Sequence, residues 1–139
     1  MERSDRAREV APHSLRSALR LAHRLSDDVA HLGAYALTNQ SRAEAAAHEI
    51  VEAFERLVAE ARNADEIRSL AITIIDGLMR LKRLLSTPAT LRIVPEAVRS
   101  GIFEQMHQLD AVASHLLRSR ASAAAGDHSQ ARNRRPPAR

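Results

Sequence analysis

The chain has no cysteine and no tryptophan, and among its 139 residues only Tyr35, Phe54 and Phe103 are aromatic. The lack of thiols excludes disulfides and thiolate metal sites. The four glycines, Gly33, Gly77, Gly101 and Gly126, are scattered, so no glycine-rich loop is present to cradle a phosphate. No apolar run approaches the ~20 residues that a bilayer-spanning helix needs. Met1 to Val10 alternates charges (Glu2, Arg3, Asp5, Arg6, Arg8, Glu9) and has no hydrophobic secretion segment. A cytoplasmic protein without a transmembrane segment is therefore expected. The length predicts one domain.

Charge is plentiful but unevenly placed. The formal net charge is +4, with 21 basic and 17 acidic side chains. From Arg118 onward there are six arginines and a single acid, Asp127, while residues 1–117 are close to neutral. The basicity thus belongs to the tail. Arg132, Arg134, Arg135 and Arg139 could hold an anionic polymer by counterion release. No aromatics are interleaved to stack on bases, so nucleic acid is a weak expectation and a solubilising tail the plainer one.

What dominates the chain is an apolar pattern of Leu, Ile, Val and Ala from Leu15 to Leu85. Leu15, Ala18, Ala22, Leu25, Val29, Leu32 and Ala36 alternate steps of three and four, which places them on one stripe of an α-helix. A first helix is predicted from near Pro12 to about Thr38. Ser41 and Glu44 have capping-box spacing, so a second helix is expected to start there. The competing reading is one helix of about 50 residues, because the stripe runs on through Asn39, Ala43, Ala46, Ile50, Ala53 and Leu57.

Asn63 with Glu66 is a second capping box, and Asp65 and Glu66 suit the positive end of a helix dipole. The third helix carries Ile67, Ala71, Ile74, Leu78, Leu81 and Leu85, ends with Arg80, Lys82 and Arg83, and is stopped at Thr87-Pro88. Ala89 to Val94 reads as a short connection. Pro95 then suits the first turn of a fourth helix with Val98, Ile102, Met106, Leu109, Ala113 and Leu116 on its stripe. The predicted organisation is a flexible charged N-terminus (1–11), a helical domain (12–120) and a disordered Arg-rich tail (121–139), whose composition buries too little apolar surface to offset its ordering entropy. The fold class is all-α: a coiled-coil-like antiparallel bundle of three or four helices. Alanine dilutes the seams, which favours a homo-oligomer or attachment to another apolar surface.

On helix three, Ile72, Ile75 and Met79 lie to one side of the main stripe. Either this helix is the most central and buried on most sides, or these residues form an exposed ridge for a partner. Reactive chemistry is sparse. Glu104 and His107 have the E-x-x-H spacing of carboxylate-bridged di-iron bundles, but Asp28 with His31 is an imperfect second pair, so no metal or cofactor is expected. His115 is followed by Arg118 and Ser119, where histidine phosphotransfer domains carry Lys and Gly. No nucleophile-elbow context exists, and the chain is not expected to be an enzyme.

The segment from Ala34 to Leu85 resembles the phasins, small amphipathic helical proteins that coat bacterial polyhydroxyalkanoate granules. The matching residues are Phe54-Glu55-Arg56-Leu57, then Ala61-Arg62-Asn63-Ala64-Asp65-Glu66, then Ile67 to Leu70. The Leu-Gln pair common in phasins is Leu70-Ala71 here, and Ile74 stands where an aromatic is often found. The resemblance implies a non-enzymatic, oligomeric protein that lays apolar helical faces on a hydrophobic granule. The alternative is a protein-binding helical adaptor or regulator whose basic tail contacts nucleic acid.

Overall fold

The computed structural model describes the backbone of residues 14–134 and side chains through Ser119. Four long helices and one short one follow in order: α1 (Leu15–His31), α2 (Gln40–Ala59), α3 (Ala64–Leu85), α4 (Pro88–Ile93) and α5 (Glu96–Arg134), with a 3-10 turn at Leu32–Tyr35. No strand occurs among the described residues. The all-α bundle read from the sequence is the fold, with four long helices among the described residues.

Each boundary has a local cause. Ser14 caps α1 by accepting a hydrogen bond from the Ser17 amide at 3.1 Å. Pro12, the expected start, lies outside the described residues. The first helix also ends earlier than Thr38. It tightens into the 3-10 turn, and Ala36 then takes φ 54° and ψ 46° in the left-handed region, which stops any helix. Ala36 is therefore exposed rather than part of the core stripe. Residues 36–39 break the chain, so one continuous helix is excluded.

The capping box at Ser41 and Glu44 does not form. Helix α2 already begins at Gln40, placing Ser41 within it, and Asn39 precedes it without a side-chain cap. The polar side chains here serve tertiary contacts instead. Asn39 Nδ2 donates to the Leu84 carbonyl at 2.6 Å, and Gln40 Nε2 donates to the Val29 carbonyl at 2.9 Å and to Glu44 at 2.6 Å. At α3, by contrast, Asn63 Oδ1 accepts from the Glu66 amide at 2.9 Å, as the spacing predicts. Glu66 Oε1 accepts from the Arg62 amide at 2.6 Å, one residue earlier than the box requires.

Helix α3 ends at Leu85 and Thr87 caps a new turn by accepting from the Thr90 amide. The stretch expected as a connection is thus mostly the short helix α4, with Pro88 at its first position, where its missing N–H costs nothing. Pro95 lies just outside α5, its carbonyl accepting from the Val98 and Arg99 amides. Helix α5 continues to Arg134. The rest of the expected tail, and the N-terminal segment 1–11, fall outside the described residues.

Packing is antiparallel around a ring. Gln40 meets Val29 while His23 Nε2 stands 3.7 Å from Glu55, so α1 and α2 run in opposite directions. Asn39 meets Leu84 while Arg80 meets Glu49 at 2.9 Å, which reverses α3 against α2. Helix α5 packs on α3 and closes on α1, where Gln105 Nε2 donates to Asp28 at 2.8 Å. The core fills the middle of the ring, with Leu25, Ile50, Phe54, Ile74, Leu81 and Leu109 fully enclosed. Four alanines of α2 are buried (Ala43, Ala46, Ala47, Ala53), and the Ala46 backbone lies close against α3 at Gly77. At the contact, a Cβ built on Gly77 would come 2.9 Å from Ile50 Cγ1.

Candidate interaction surface

The side chains of α3 divide into two stripes. Ala71, Ile74, Leu78, Leu81 and Leu85 face the ring interior and are buried. Ile72, Ile75 and Met79 follow at i, i+3 and i+7, so they share a neighbouring stripe about 10 Å long at 1.5 Å rise per residue. Ile72 is 46% exposed and Met79 55% exposed. Ile75 is half-buried and packs against the core. Of the two sequence readings, burial on most sides fits Ile75, and an exposed ridge fits Ile72 and Met79.

Beside this ridge, α3 and α5 leave a hollow of about 240 Å³ lined by Met79, Lys82, Phe103, Met106, His107 and Asp110, among others. Its floor is apolar and both methionines beyond Met1 stand in it. Such unbranched, polarizable side chains adapt to irregular partner surfaces. Lys82 from α3 and Asp110 from α5 bring opposite charges to its edges. The sequence stripe identifies Met106 but not Phe103, which sits one residue beyond Ile102; an aromatic adjoining an apolar stripe is the signal that marks a widened apolar face.

Two further hollows are lined by described residues. The larger, about 460 Å³, lies between α2 and α3 and is mostly charged, with Glu49, Glu52, Glu60, Asp65 and Glu66 around Arg56. Its charges are those of two solvated faces; Arg80 is shared by Glu49 at 2.9 Å and Asp76 at 3.6 Å, and Arg56 stands 3.8 Å from Glu60. The third, about 350 Å³, lies where α1 ends against the start of α5, lined by Asp28, His31, Leu32, Tyr35, Val98 and Gly101 with neighbouring apolar groups. Val98, expected in the core stripe of the fourth helix, is 37% exposed at this hollow. An added Cβ at Gly101 would meet no atom within 4 Å.

Among the described residues, the reactive types do not assemble. Glu104 and His107 are both exposed, and Glu104 accepts from Gln108 at 3.3 Å. Asp28 is engaged by Gln105, and His31 Nδ1 lies 2.7 Å from the Asp27 carbonyl. Among the described residues, no group of three or more His, Asp or Glu is placed to hold a metal ion. His115, Arg118 and Ser119 are exposed on α5. The side chains of Arg132, Arg134, Arg135 and Arg139 lie outside those described. No described helix is long and apolar enough to cross a membrane.

Compared with protein-family models, curated proteins and solved structures, the chain matches none of them.

Proposed function

We propose that the chain is a non-enzymatic helical binding protein that attaches to a hydrophobic surface through the α3 ridge and coats or scaffolds it, as phasins do on polyester granules. The observation that carries this reading is the exposure of Ile72 and Met79 on a helix whose main stripe is already buried. Extended apolar patches mark interaction sites, and Ile72 and Met79 lie on one stripe with the half-buried Ile75 between them.

Magnitude decides how such a ridge can work. Fully burying an Ile or Met side chain is worth about 1.5–3 kcal/mol, and roughly half of that remains available at Ile72 and Met79. One copy therefore gains only about 1.5–3 kcal/mol, well short of the ~8 kcal/mol of a micromolar complex. Attachment then depends on many copies acting together, which a homo-oligomer provides by raising effective concentration.

The test is partition of the purified protein onto polyester or lipid particles, comparing the wild type with an Ile72→Glu, Met79→Glu double variant. Both positions are exposed, so the variant keeps its fold and thermal midpoint; Ile75 is left alone because it packs on the core. Retention of the wild type and loss of the variant is the expected result. Equal partition removes the ridge from the account.

A second reading, a protein-binding adaptor, is favoured by the concave hollow beside the ridge. Its charged edges at Lys82 and Asp110 suit a partner helix laid along a groove. In that case the basic tail contacts nucleic acid, and deleting residues 121–139 abolishes salt-sensitive retention on DNA while leaving particle binding unchanged.

A further inference from the structure

Helix α5 begins with an apolar stripe that is left partly uncovered. Val98 stands one turn before the buried Ile102, yet it remains exposed, and Gly101 between them opens onto free space. The cause lies in how α1 ends: the helix gives way to the 3-10 turn at Leu32 and the left-handed Ala36 redirects the chain toward α2. An open cleft of about 350 Å³ results, at the lower end of the ~300–1,000 Å³ typical of small-molecule sites.

Its polar lining consists of acceptors and one phenol. Among the described residues, no Lys or Arg lines the cleft. Asp28 forms no ion pair among the described residues; its Oδ2 is held by the neutral amide of Gln105 at 2.8 Å. At His31, Nδ1 is 2.7 Å from the Asp27 carbonyl. A carbonyl only accepts, so Nδ1 carries the hydrogen, and in the neutral ring Nε2 is left as an acceptor. Tyr35, half-buried, contributes an aromatic ring, and Leu32 and Val98 contribute apolar wall.

We propose that this cleft binds a small amphipathic ammonium ion. The charged head is taken by Asp28 and His31 Nε2 beside the Tyr35 ring, which attracts cations through its face. The apolar body lies on Leu32 and Val98 over the space at Gly101. An anion of the same size meets the Asp28 carboxylate and is repelled. This site stands on its own lining and does not depend on the α3 ridge.

The chain supplies its own reporter, because Tyr35 is its single tyrosine and it has no tryptophan. Tyrosine emission of the full chain is followed during titration with hexylammonium, and with hexanol and hexanoate as apolar and anionic controls. The expected result is a saturable change with hexylammonium alone, weakened about tenfold or more in Asp28→Asn through loss of a charge-assisted contact. Gly101→Leu, which fills the cleft, abolishes the response while far-UV circular dichroism stays unchanged. The proposal is overturned by hexylammonium producing no saturable change, by hexanol saturating at the same concentration, or by Gly101→Leu binding as well as wild type.

Discussion

Ala36 occupies the left-handed region with φ 54° although it is not a glycine. For an L-residue that conformation costs about 1–2 kcal/mol, whereas glycine adopts it freely at an entropic cost of roughly 0.5–1 kcal/mol. Ala36→Gly should therefore raise stability by about 0.5–1 kcal/mol, read as an increase of a few degrees in the midpoint of thermal unfolding. The same residue marks where sequence reading stops. Its place in a run of three-and-four steps assigns it to the core, because periodicity does not register a φ angle. Asn39 and Gln40 carry a related lesson. Their amides are taken by the carbonyls of Leu84 and Val29, so helix α2 starts one residue before Ser41 and the local S-x-x-E spacing is overridden. Where no distant partner competes, as at Asn63, the side-chain cap forms as the spacing predicts.

Helices are legible to the extent that their signals are local. The stripe of α3, its acidic first turn and its basic last turn all follow from side chains within the helix. Helix α4 is not legible in this way: six residues give no period, and Thr87-Pro88, read as a stop, is also a start, with Thr87 capping the turn that follows. How closely two helices approach is a property of the pair. Gly77 on α3 faces Ile50 on α2, and a Cβ at position 77 would stand only 2.9 Å from Ile50 Cγ1, which leaves no room for a methyl group. Cγ1 is near the base of the side chain, so it cannot swing aside without moving the helix. Gly77→Ala gains up to ~1 kcal/mol of helix propensity but incurs an overpacking cost of about 1–3 kcal/mol. The expected net effect is destabilisation of roughly 1 kcal/mol, checked by urea unfolding; a stabilised variant would mean that α2 and α3 pack less tightly than described.

Over the whole molecule, the bundle's closure is what separates core from surface. The stripes of α1, α2, α3 and α5 each turn toward the ring interior, and only after that closure can the remaining apolar side chains be recognised as unpartnered. That is why the sequence leaves Ile72, Ile75 and Met79 between two readings, and why the Asp28, Tyr35 and Gly101 cleft has no signature in it: its walls come from helices far apart in the chain. The absence of cysteine makes the central claim directly measurable. A single cysteine is introduced at Met79 on the ridge, or at exposed Arg20 on α1, the helix diagonal to α3. Each is labelled with a polarity-sensitive dye, and its emission is followed as polyester particles are added. Attachment through α3 predicts a blue shift from position 79 and none from position 20. Equal shifts at both positions, or a shift at position 20 alone, would contradict it.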